Sequence, residues 1–192
     1  MSVRPSSATV DRRILDLTAG LVARHGVAAT STQLVATAAG LSKASIFNRF
    51  GSKDALVERT VAQCIELAAT ARSSASDSPD DPDEAALRAL VDTGLEWPGF
   101  LALTVASITV REPGELGAEA GAIAAHLLAM FGLEFPAERN DPSALFRVVG
   151  TVGVIGVLAL ASQDEVDRAT AYREILPIAR ATLTAPGPAT AR

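Results

Sequence analysis

Residues 31–50 read STQLVATAAGLSKASIFNRF, two short runs of apolar periodicity separated by Gly40. Thr30 with Gln33 three residues later has the capping-box spacing, in which a hydroxyl and an amide satisfy free backbone donors, so a helix is expected to start there and run to about Ala39. Gly40 breaks it, Leu41 offers an apolar anchor in the turn, and Ser42 can cap a further helix ending near Phe50. Ile46 and Phe50, four apart, give this helix one buried face. Two short helices joined by a glycine-containing turn within about twenty residues have the helix-turn-helix spacing, in which the second helix can enter a major groove. Many helical hairpins share that spacing and bind nothing, so the outward side chains have to decide.

With Ile46 and Phe50 turned inward, Lys43, Ser45, Asn48 and Arg49 remain available, a set able to bond base edges and phosphates. Thr32 and Gln33 stand at the amino end of the preceding helix, where free N–H groups and the helix dipole favour a phosphate. Lys53 stands likewise at the start of the following helix. Each alone reads as well as an ordinary solvated residue, but grouped around one turn they point to DNA.

Upstream, Ile14, Leu17, Leu21 and Val22 share one helical face, with Gly26 as a C-terminal stop. Downstream, Gly51 ends the third helix, Ser52 caps again, and Val57, Val61, Cys64 and Leu67 or Ala68 continue at helical spacing to about Arg72. Residues 73–83 (SSASDSPDDPD), acidic and doubly punctuated by proline, are expected to form a separating loop. Five more helices are expected at Glu84–Leu95, Phe100–Arg111, Glu115–Phe131, Ser143–Ser162 and Asp164–Leu183, with irregular segments before Val10 and after Ala185. The chain thus reads as all-α with about nine helices: a three-helix DNA-binding domain over 10–56, linked through a helix at 52–72 to a regulatory and dimerisation domain over 57–184. The 48% hydrophobic content with only 4% aromatics agrees with helices packed through small side chains.

The net charge of −5 alone argues against nucleic acid, but it is unevenly distributed. Residues 1–53 carry Arg4, Arg12, Arg13, Arg24, Lys43, Arg49 and Lys53 against Asp11 and Asp16, a net of +5 that leaves −10 for the rest. Only the amino-terminal end is therefore expected to meet a phosphate backbone. Arg4, Arg12 and Arg13 could form an arm reaching a minor groove or could simply keep the terminus soluble. Cys64 is the single cysteine and no leader opens the sequence, which points to the cytoplasm. On its apolar face it reads as a buried small hydrophobe. The apolar run from Val148 to Ala161 is shorter than a membrane span, so no membrane partner is expected. His25 and His126 lie on separate elements without paired cysteines, and no phosphate loop or nucleophile–base spacing is present. No metal, no cofactor and no catalysis are expected.

From Ile14 onward, ILDLTAGLVARHGVAATSTQLVATAAGLSKASIFNRFGSKDALVE resembles the amino-terminal domain of the TetR family of transcriptional regulators. The landmarks are the apolar face of the first helix, His25-Gly26, Thr30, Ala39-Gly40-Leu41-Ser42, Ile46-Phe47, Phe50, Ser52-Lys53 and Ala55-Leu56. The resemblance covers roughly residues 10–65. It implies a recognition helix with Lys43, Ala44, Ser45, Phe47, Asn48 and Arg49 at DNA-facing positions, Thr32 and Lys53 on phosphates, and Gln33 in reach of a base. Two positions depart from the family pattern. Phe47 stands where the family usually has Tyr, so a phosphate-bonding hydroxyl is missing, and Ala44 replaces a common Gly with a methyl that could touch thymine.

For the carboxy-terminal part the resemblance implies a dimer seam built from the last two long helices and a cavity for a small-molecule effector. Gly150, Gly153 and Gly156 recur every three residues and leave a smooth stripe for a close helix, either in a partner or within the subunit. Trp97, Phe100, Leu103, Thr104, Leu127, Met130, Phe131 and Phe146 either line an apolar effector cavity or form plain core. The reading is a cytoplasmic homodimer on a near-palindromic operator, a repressor released by the effector. Its rivals are a ligand-binding protein with a degenerate DNA module and an all-α enzyme.

Overall fold

The computed structural model describes residues 6–109, 117–163 and 165–186. Among them are nine α-helices and no strand. The first four are α1 (Ser7–Ala29), α2 (Thr32–Ala38), α3 (Lys43–Phe50) and α4 (Lys53–Ser76). The remaining five are α5 (Pro82–Glu96), α6 (Pro98–Thr109), α7 (Gly117–Met130), α8 (Pro142–Ala161) and α9 (Arg168–Leu183).

Short polar side chains set the helix starts. Ser6, Ser31, Ser42 and Ser52 each accept the N–H of the residue three ahead, at 3.0–3.1 Å. Asp81, Asp141 and Asp167 do the same for α5, α8 and α9, with proline in the first turn of α5 and α8. The expected capping box does not form. The Thr30 hydroxyl donates to the Gly26 carbonyl at 2.8 Å and closes the end of α1, so the cap of α2 falls to Ser31. Gly26, at φ 77°, breaks regular α1 where the sequence placed its stop, and one further turn follows. The acidic loop is also shorter than expected. Ser73, Ser74 and Ser76 stay helical because Ala71 and Ala75 still pack on the body, which outweighs the weak propensity of serine.

Two apolar cores result. The smaller joins Ile14, Leu15, Val35, Ala36, Ile46, Phe50 and Leu56. The larger gathers α5 to α9 around Leu87, Leu90, Phe100, Leu127 and Ile155. Both α1 and α4 serve the two cores. Ala19 and Val22 of α1, and Cys64, Ala68 and Ala71 of α4, belong to the larger one. Burial pushes the Cys64 thiol up to about 12, with the Asp16 charge adding to the effect, as befits a small core residue.

In the body three expectations need correction. Helix α8 begins six residues before Val148, so it reaches 20 residues and by length and composition could cross a membrane. It nonetheless lies against α5, α6 and α9, with Val148, Val152, Ile155 and Ala159 buried. Phe146, expected at a cavity, is 74% exposed because it falls on the outer face of α8. Gly156, expected at the dimer seam, faces inward: a Cβ there would lie 3.3 Å from Val105 and near Leu101, so its smoothness serves α6 of the same chain. Among the described residues a Cβ at Gly153 would meet nothing, and one at Gly150 only Thr182 of α9 at 3.6 Å. Phe100, Leu103, Thr104, Leu127 and Met130 are buried together with half-buried Trp97 and Phe131. An open cleft of about 460 Å³ lies elsewhere, between Asp83, Leu133, Arg147, Val148 and Leu183, and shares only Phe131 with the expected lining.

Candidate nucleic-acid interface

The turn between α2 and α3 is built on Gly40. Its φ of 65° is one that residues with a Cβ rarely adopt, and it lets the Leu41 N–H reach back to the Ala36 carbonyl at 2.9 Å. Leu41 packs against the small core and holds the crossing of the two helices. With Ile46 and Phe50 buried, helical geometry leaves Lys43 beside Phe47 and Ala44 beside Asn48 on one exposed strip. Phe47 is 61% exposed, which for a large apolar side chain is costly unless something covers it. Ser45 is half-buried at the edge of the strip.

Helix α2 presents Gln33 outward and half-buried Thr32 at its amino end. The sequence reading passed over Thr37. Exposed one turn beyond Gln33, it donates to the Gln33 carbonyl at 3.0 Å and lies 3.5 Å from the Gln33 amide nitrogen. The i, i+4 spacing of two polar residues was the available signal.

Three further cations are engaged within the domain. The Arg49 guanidinium pairs with Asp11 and donates to the Ser7 hydroxyl, bracing α3 on the start of α1 rather than standing with Lys43 and Asn48. Lys53 donates to the Ala28 carbonyl at 2.9 Å, tying α4 to the last turn of α1. Arg59, absent from the sequence reading, lies over the Phe50 ring at 4.8 Å. Arg12 and Arg13 are exposed residues within α1, so they do not form an extended arm, and Arg4 lies outside the described residues.

Arg49, Lys53 and Arg59 are thus held within the domain, while the strip of Lys43, Ala44, Phe47 and Asn48 stays exposed. Ser42 and Ser31 occupy donors at the starts of α3 and α2, while the neighbouring free N–H groups keep a partial positive charge. Such an arrangement suits an anionic backbone straddled by a helix that reads base edges.

Residues 14–60 match the model of bacterial regulatory proteins of the tetR family. No curated protein is similar to the chain. Among solved structures it is similar to the ketosteroid transcriptional regulator KstR2 of Mycobacterium tuberculosis, with a TM-score of 0.53 and 16% identity over 94% of this chain and 95% of that one. A second is the fatty acid degradation regulator FadR from Bacillus halodurans, with TM-score 0.51, 14% identity, and 91% and 98% of the two chains covered. A third is a TetR-like transcriptional regulator from Rhodococcus sp. RHA1, with TM-score 0.50, 18% identity, and 95% and 100% covered. At these identities the likeness is one of fold.

Proposed function

Since residues 14–60 match the tetR family of bacterial regulatory proteins, we propose that the chain is a DNA-binding regulator, a cytoplasmic homodimeric repressor that binds a near-palindromic operator and is released by a small apolar effector. The observation that carries the DNA reading is the exposed strip of Lys43, Ala44, Phe47 and Asn48 on a helix fixed by a buried Ile46–Phe50 face. In this reading Asn48 and Lys43 address base edges, Ser45 and Phe47 the groove wall, and Ala44 a thymine methyl. Thr32 and Lys53 face phosphates and Gln33 reaches a base, while Arg49 steadies the helix through Asp11.

The dimer reading rests on α8. Phe146, Gly150, Gly153, Val157 and Leu160 recur at alternating steps of four and three, the spacing of a helix-packing seam. Phe146 and Val157 are 74% and 64% exposed, Leu160 is also exposed, and Ile178 adds an exposed apolar side chain on α9. Covering this face against its symmetry mate makes a four-helix contact and places two recognition helices on one side of DNA, about one helical turn apart.

The effector reading takes residues 57–184 as the regulatory domain and residues 10–56 as the DNA-binding one. Among the described residues the Thr104 hydroxyl and the His126 Nδ1 are buried without hydrogen-bond partners in mostly apolar surroundings, so a mainly apolar molecule with one polar group suits this region. Release follows if the effector prefers a conformer whose two heads are misaligned.

Selection of bound duplexes from a random pool at moderate and raised salt, comparing wild type with Lys43→Ala/Asn48→Ala, tests the reading. A near-palindrome enriched by wild type and not by the variant supports it. Absence of enrichment at every salt concentration would replace it with a ligand-binding protein whose DNA module has degenerated, the reading that Phe47 and the acidic total charge favour.

A further inference from the structure

Asp16 lies on α1 between the residues that belong to the two cores, after Ile14 and Leu15 of the small core and before Ala19 and Val22 of the large one. It is only 3% exposed. Its Oδ1 accepts the Phe100 N–H at 3.0 Å, and the Gly99 N–H also bonds to it, so the carboxylate caps the first turn of α6 from a helix 84 residues away in sequence. The two backbones all but touch there. A Cβ on Gly99 would lie 1.9 Å from the Asp16 carbonyl oxygen, and a Cβ on Gly20 would lie 3.5 Å from the Gly99 Cα.

Burial pushes the Asp16 carboxyl above the usual carboxylate range, although the Phe100 and Gly99 N–H groups and Arg13 pull it down. The site therefore tolerates an unfavourable ionisation where an apolar residue would fill the space without it. What an apolar residue cannot supply is direction. Two N–H groups converging on one carboxylate fix both the place and the angle at which α6 leaves α1, and α1 carries the small core with α2 and α3.

We propose that Asp16 is a positioning residue that sets the angle of the DNA-reading head on the body, and through it the half-site spacing the dimer accepts. The inference rests on the operator-binding dimer described above. Loss of the cap leaves the head's core and its contact strip intact but lets the two heads sample a range of separations. Spacing selectivity then falls while base selectivity within a half-site stays.

The test uses the full-length protein and duplexes derived from the selected site, with the centre lengthened or shortened by one and two base pairs. Affinities are read by fluorescence anisotropy at fixed salt and corrected for the folded fraction by circular dichroism. One base pair rotates one half-site about 35° relative to the other, so wild type is expected to lose about tenfold for each step. Asp16→Ala is expected to lose less than about threefold, with the same single-base discrimination inside a half-site as wild type. Asp16→Asn keeps an acceptor for the Phe100 N–H and is expected to restore most of the spacing preference. If Asp16→Ala does not fold, Asp16→Leu, which fills the space without an acceptor for the Phe100 N–H, carries the comparison, a flattened spacing profile supporting the proposal and a wild-type profile overturning it. A purely structural role lowers all affinities together without changing the spacing profile, and that result also overturns the proposal. Failure to select any duplex would fell the DNA reading and this proposal with it, whereas tight binding with an unaltered spacing profile fells this proposal alone.

Discussion

Truncating Phe146 to alanine is the sharpest test of the dimer face, because that side chain contributes little to its own subunit. A phenylalanine offers about 200 Å² of surface, and with Phe146 74% exposed roughly 150 Å² stands free on each subunit. At about 25 cal/mol/Å², covering half of it in a dimer contributes ~2 kcal/mol per subunit. Symmetry counts it twice, so Phe146→Ala is expected to cost ~4 kcal/mol and raise the dimer dissociation constant about a thousandfold. Sedimentation equilibrium over a wide concentration range measures that constant, and thermal unfolding of dilute protein reports the subunit. Two glycines sharpen the contrast. Gly153→Leu enters open space, so it should spare the subunit and block association, while Gly156→Leu drives into Val105 and Leu101 and should destabilise the subunit itself. A dissociation constant that moves less than about threefold on Phe146→Ala, or Gly153 and Gly156 variants that behave alike, would refute the assignment of this face.

Four further outcomes are expected. Lys43→Ala should weaken binding to the selected duplex by ~1–3 kcal/mol and relax the preference at the base pair it addresses, read with single-base substitutions in the half-site. Phe47→Tyr should leave the melting temperature unchanged, since the ring is 61% exposed, and tighten operator binding about threefold to tenfold by restoring a hydroxyl. Ser42→Ala should cost ~1 kcal/mol by freeing the Ser45 N–H, read as a lower melting temperature with dimerisation unchanged. The Cys64 thiol, raised to about 12 by burial, binds its proton more tightly folded than unfolded; stability should therefore be insensitive to this group below about pH 9 and fall as pH rises from 9 toward 12, a slope missing from Cys64→Ala.

Much of the head was legible because its signals are local. Ser42, Gly40 and the Ile46–Phe50 pair define α3 within eleven residues, and the structure places all of them as the spacing implies. The errors came from competition between neighbours. Thr30 and Ser31 can each cap a helix, and only the three-dimensional end of α1 shows that Thr30 turns back to Gly26. Arg49 looked like a free cation because its partner Asp11 lies 38 positions upstream. The glycines of α8 illustrate the same limit in the body. A three-residue repeat rotates by about 300° per step on a helix, so successive members drift around the axis and cannot all share a face. Gly156 has drifted to α6, while Gly153 remains outward. The four-three spacing from Phe146 to Leu160 was equally present in the sequence and is the pattern that holds one face.

The helices shared by the two cores decide how state could pass between body and head. Helix α4 contributes Leu56 to the small core and Ala68 to the large one, twelve residues apart and so about 18 Å along one uninterrupted axis. No flexible linker intervenes. A tilt of about 5° about the Ala68 end therefore moves Leu56, and the α2–α3 pair packed around it, by roughly 1.6 Å over that helical length. Helix α1 gives the head a second attachment, fixed on α6 by Asp16 and the close Gly99 crossing. Two rigid supports resist independent tilting of the head. A molecule that entered near Thr104 on α6 could therefore move the recognition helix only by shifting α1 and α4 together, and such a concerted displacement would change the separation of two heads in a dimer rather than loosen either one.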